Sequence, residues 1–197
     1  MRVLHILILP LLFLPGTLAA ADPEIVTLNG LTVTLPALPW NRDGWTPSWR
    51  SVTEGQTEGG STLTTATWHQ RPQSPANWSD RIRLTLETPS EATLTEALTD
   101  LAAPYGWACD TAGTEIHSES PDRLNALLTC FGTKAGFDAP EGLDEITFAV
   151  LTRRGDILVT LSYSARARSF ANDPDLQNTH WRAEVFAYLS QFSITQR

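Results

Sequence analysis

The chain has 197 residues, with 14 basic and 22 acidic side chains, a formal net charge of −8, 42% hydrophobic residues and two cysteines. An acidic balance repels phosphate backbones and anionic lipid surfaces, and no local basic stripe offsets it, so nucleic acid and membrane surfaces are not expected partners. A chain of this length suits one folded domain that buries roughly 70% of its extended surface.

Residues 1–21 open with Arg2, run apolar from Ile6 to Leu14 and end on Ala19-Ala20-Ala21. That order predicts a secretory signal peptide cleaved near Ala21. Pro10, Pro15 and Gly16 interrupt an apolar stretch already shorter than the ~18 to 20 residues that span a bilayer, which argues against a retained anchor. Residues 22–197 are then one exported α+β domain, periplasmic or extracellular, with no membrane span.

Residues 25–35, IVTLNGLTVTL, alternate apolar positions around Asn29-Gly30, the pair suited to a type I′ turn, and predict a β-hairpin. The segment 35–51 places Pro36, Pro39 and Pro47 among Trp40, Trp45 and Trp49. Proline cannot donate to a sheet ladder, so this reads as an ordered connection. Residues 53–60 read as a loop before a threonine-rich strand at 61–68.

The stretch TWHQRPQSPANWSD, residues 67–80, sets Trp68 and Trp78 around His69, Arg71 and two prolines. It reads as a restrained crossing between strands whose tryptophans close the end of the core. If Trp40, Trp45, Trp68 and Trp78 line one exposed concavity instead, they form, with His69 and Arg71, a seat for a ligand or partner.

RIRLTLE at 81–87 is a strand with Ile82, Leu84 and Leu86 on one face and Arg81, Arg83, Thr85 and Glu87 on a wet one. Thr88, Pro89 and Glu91 then predict a helix start, with Leu94, Ala97, Leu98, Leu101 and Ala102 at helical spacing and an end near Pro104 or Gly106. Strands are expected at 114–118 and 123–131, the second ambiguous with a short helix. Cys109 and Cys130 are expected to pair, since an exported compartment is oxidising. A zinc site on Cys109, His117 and Cys130 lacks the close CxxC spacing of structural zinc.

Residues 145–167 alternate on both sides of a turn at Arg154-Gly155, so Ile146, Phe148 and Val150 can meet Ile157, Val159, Leu161 and Tyr163. The turn also accounts for the tripeptide Arg154-Gly155-Asp156. Arg166 and Arg168, on the face opposite Tyr163, are able to receive a carboxylate or phosphate, although a solvated strand end explains them as well. Finally, 178–192 spaces Trp181, Val185, Tyr188, Leu189 and Phe192 along one helical stripe that needs a sheet to lie on. The sum is α+β: an antiparallel sheet with helices on one face and solvent or a partner on the other.

The element order, the Asn77-Trp78-Ser79-Asp80 run, the Cys109/Cys130 pair and the late hairpin before a Trp-bearing helix resemble small exported bacterial proteins of unassigned function and the Mog1/PsbP-like α+β sandwich. The resemblance implies a compact accessory or binding protein and carries over no catalytic residue.

Among catalytic patterns, GxSxG and SxxK are absent. A small exported hydrolase would have to use His69 or His180 with a serine brought close in space. Glu115, His117 and Glu119 share one side of a strand and offer an alternative metal site, although most such rows are simply the wet side of an edge strand. The functional expectation is therefore an exported, monomeric, non-enzymatic binding protein of the cell envelope, without cofactor or metal, for an envelope protein or a small apolar ligand.

Overall fold

The structure, a computed structural model, describes residues 23–38, 48–57, 59–71, 73–74, 77–134, 141–168 and 179–196. A hairpin of β1 (Glu24–Leu28) and β2 (Leu31–Leu35) is followed by β3 (Ser48–Gln56), β4 (Thr62–Gln70) and β5 (Asp80–Thr88). Helix α1 (Leu94–Ala108) leads into β6 (Cys109–Ser120), β7 (Arg123–Thr133), β8 (Asp144–Arg154) and β9 (Ile157–Ala167). Helix α2 (Thr179–Leu189) and a short β10 (Ser193–Gln196) complete the order.

The main sheet has seven antiparallel strands in the order β3-β4-β5-β9-β8-β7-β6, and β1-β2-β10 form a small second sheet. The first turn is the expected one: Asn29 and Gly30 both take positive φ, 49° and 76°, which a type I′ hairpin requires. In the β8–β9 hairpin Phe148 faces Tyr163 and Val150 faces Leu161. Its turn sits one residue later than expected, on Gly155 and Asp156.

One face of the main sheet is an apolar array. Trp68, Ile82, Tyr163, Phe148 and Leu127 lie in one cross-strand row, and the small sheet and α2 close over it with Val33, Leu35, Phe186 and Leu189. Phe148 meets Trp181 and Phe186 edge-on, each at 5.2 Å between centroids. Helix α1 packs on the other face, against β6, β7 and β8, where Leu94, Leu98, Tyr105 and Ala108 join Leu124, Leu128 and Leu151. The α+β antiparallel class is as expected. The layering is two-sided, because β8 carries apolar side chains on both faces and buries both.

Three local readings change. Residues 48–56 are strand, where a connection as far as 51 and a loop from 53 were expected: as the edge of the sheet β3 needs only backbone pairing with β4, so the polar, exposed side chains of 53–56 carry no alternation to read. Helix α1 starts five residues after the expected cap, because β5 continues to pair as far as Thr88. The same chemistry recurs at Thr93, whose hydroxyl accepts from Glu96 N (3.1 Å) while Glu96 Oε2 accepts from Thr93 N (2.7 Å). The helix then runs through Pro104, its last turn held by buried Tyr105 and Ala108. Strand β10 was not expected at all; it joins the small sheet by pairing with β2.

Candidate functional site

The face that carries α1 is divided. Register places His69, Arg81, Ser164 and Thr147 in one row and Thr67, Arg83, Ser162 and Ala149 in the next. Its β6–β8 half is apolar and carries most of the packing of α1, whereas its β4-β5-β9 half is mainly polar, with Leu158 of β9 joining the apolar cluster. Along the boundary lies a cavity of about 260 Å³, walled by Leu101, Pro104 and Tyr105 of α1 and floored by Arg81, Arg83 and Arg166.

Glu145, 1% exposed, organises the floor. Its Oε2 accepts from Arg166 Nε at 2.7 Å, and its Oε1 accepts from the Tyr105 hydroxyl at 2.9 Å and the Thr147 hydroxyl at 3.1 Å. Arg81 Nη2 reaches the same Oε1 at 3.5 Å. Burial, reinforced by the Glu145 charge, pushes the Tyr105 phenol well above its ordinary range, which keeps it a proton donor. Burial, then repulsion from Arg83, lowers Arg81 to about 10 against the pull of Glu145. It remains a cation at neutral pH.

Trp78 forms the far wall of this cluster. Its ring is 3% exposed, with the Arg166 Cζ 3.7 Å and the Arg81 Cζ 4.1 Å from the ring centroid, so cation–π attraction holds both guanidiniums in place. The connection before β5 is stapled by Gln73, whose Oε1 accepts from Ser79 N (3.0 Å) and whose Nε2 donates to Ser79 Oγ (2.8 Å). Arg83 forms no ion pair among the described residues. The Nε atoms of Arg81 and Arg83 and the indole nitrogen of Trp78 are buried without a hydrogen-bond partner among the described residues.

The residues singled out from sequence fall in different places. Trp68 is sealed in the core, its indole donating to Glu24 Oε1 at 3.3 Å. His69 is buried on the polar half, its ring centroid 6.4 Å from that of Trp78. Arg71 is exposed, and Trp40 and Trp45 lie outside the described residues. His180 opens α2, its side chain likewise outside them. Glu115, His117 and Glu119 are exposed on β6, where the register shifts between Ile116 and Ser118 and His117 stacks on Phe186 at 4.6 Å. No group of three His, Cys, Asp or Glu is gathered for a metal among the described residues. Cys109 and Cys130 are bonded, S–S 2.04 Å.

Arg166 and Arg168 part company: Arg168 is exposed, while Arg166 is buried against Glu145 rather than solvated. The wet face expected of β5 is half-buried for the same reason. Sequence reading did not connect Arg81 and Arg83 with Glu145, Tyr105 and Thr147. The polar alternation of 81–83 and 162–166 was visible, but not that these strands are neighbours.

No family model matches the chain, and no curated protein matches it. The fold is similar to that of Mog1p, the Ran-binding protein of Saccharomyces cerevisiae. The likeness covers 88% of this chain and 95% of that one, at 11% sequence identity and a TM-score of 0.48. A likeness at this identity concerns the fold and brings no partner with it. No helix among the described residues is long and apolar enough to cross a membrane.

Proposed function

We propose that the chain is an exported, monomeric, non-enzymatic binding protein of the cell envelope, with residues 1–21 removed, residues 22–197 forming one domain, and a ligand seated in the cavity beside α1. The observation that carries this reading is the divided face. Native proteins pair nearly all their buried polar groups, so a half-open cavity with unpartnered buried donors on its floor is a place prepared for something else to complete. The disulfide supports an oxidising compartment. An apolar ligand held by tryptophans has less support, since Trp68 is enclosed and Trp78 lies against two guanidiniums.

Three measurements test this reading. Fractionation of the producing cell is expected to recover a chain that begins at Asp22; a chain retaining residues 1–21 in the cytoplasm would remove export. A melting-temperature screen of small molecules is expected to yield stabilisers whose effect disappears in Leu101→Trp, which fills the cavity from the helix side. Covalent labelling by a serine-hydrolase probe, abolished in His69→Ala, would replace the binding reading with an enzyme.

A further inference from the structure

The cavity floor specifies what kind of group it receives. Three guanidiniums, from Arg81, Arg83 and Arg166, meet two carboxylates there, Glu145 within and Asp100 at the exposed rim. In a chain whose formal net charge is −8, this is a local concentration of the opposite sign. Glu145 already serves two of the three arginines, and Arg83 is left without a counter-charge among the described residues. Leaving a cation partly desolvated is costly unless an anion completes it.

We infer that the cavity binds an oxyanion, the carboxylate or phosphate group of a small ligand, with Arg83 as its principal partner and Arg81 beside it. The inference rests on the binding reading above and narrows it to a ligand class. Each Arg has a planar fork of donors suited to oxyanions, and the buried Nε of Arg81 and of Arg83 is available to complete such a contact. Ser162 and Ser164 add hydroxyls to the same floor. At about 260 Å³ the space is below the usual range of ~300 to 1,000 Å³ for ligand pockets, so it suits a small molecule or only the charged end of a longer one. Trp78 fixes two of the three guanidiniums beside the site, Arg166 with its Cζ 3.7 Å and Arg81 with its Cζ 4.1 Å from the ring centroid.

The test follows the arginine Nε–H resonances of the purified protein at low salt during separate titrations with inorganic phosphate, succinate and uncharged octyl glucoside. The expected result is saturable movement of the Arg83 and Arg81 signals with phosphate, succinate or both. Phosphate alone would mark a phosphate-bearing ligand, and succinate alone a carboxylate-bearing one. Arg83→Gln is expected to weaken the binding about tenfold or more, and Arg83→Lys less, with both variants melting close to the parent. Equal, unsaturated drift of every exposed arginine, or affinity unchanged in Arg83→Gln, would overturn the inference. Saturable binding of octyl glucoside at Tyr105 without response to either anion would overturn it too, while leaving the binding reading intact. No binding of any probe, with hydrolase-probe labelling, would remove both.

Discussion

Two arginines, a phenol and a threonine hydroxyl converge on the single carboxylate of Glu145, and all of them are buried or nearly so. Such a pair adds little net stability over an apolar replacement, but breaking it leaves an uncompensated charge. Glu145→Gln is therefore expected to destabilise the protein by about 3 kcal/mol in urea unfolding. Arg83→Gln, two strands away and without an ion pair among the described residues, is expected to cost less than about 1 kcal/mol. Equal losses in the two variants would mean that Arg83 is structural and not held for a ligand. Little of this was legible beforehand. Arg166 was recognised as a possible anion receiver, but a lone arginine near a strand end looks solvated, and only the carboxylate across the β8–β9 pair shows that it is buried.

At the scale of elements, α1 decides where the site is, since it packs chiefly on β6, β7 and β8. Its N-terminus is secured by the reciprocal hydrogen bonds of Thr93 and Glu96. The same bonds lower the Glu96 carboxyl, backbone donation from Thr93 contributing most. Thr93→Ala is expected to lose about 1 kcal/mol in thermal or urea unfolding, the usual worth of such a cap, with amide exchange fastest in the first turn of α1. Unchanged exchange there would show that packing of Leu94 and Leu98 holds the turn without the cap. The helix was readable from its apolar spacing, but its start was expected at Thr88, whereas the T-x-x-E run at 93–96 caps it. The later start was set by β4, which keeps β5 in the ladder as far as Thr88. The edge strands β3 and β10 escaped notice because a strand held by backbone pairing at a sheet margin needs no apolar alternation.

For the molecule as a whole, the bond between Cys109 and Cys130 ties the C-terminal end of α1 to β7 and so fixes the helix that walls the cavity. With the two cysteines at a sequence separation of 21, closing that loop is worth about 3 kcal/mol in the chain-entropy account. The Cys109→Ser, Cys130→Ser double variant is expected to lose about that much stability, and to show faster amide exchange in the last turn of α1 than in β8 or β9. Uniform loss across the sheet would mean that the bridge supports the entire fold rather than the helix.

What the sequence by itself determined is local: the β1–β2 and β8–β9 hairpins, the cysteine pair, the amphipathic helices and the α+β class. Turn residues and side-chain periodicity act over a few residues, so a single stretch contains all the information they need. Alternation also told which residues share a face, as with Arg81 and Arg83 or Ser162, Ser164 and Arg166. It could not tell which strand lies beside which, or how far a helix reaches across a face. Tertiary structure decided that β5 pairs with β9 and that α1 packs chiefly on the apolar half of one face. The driving force there is burial of apolar area, which is non-directional and registers only once the layers meet. The arginines were drawn together as a consequence of that packing, which no local pattern encodes.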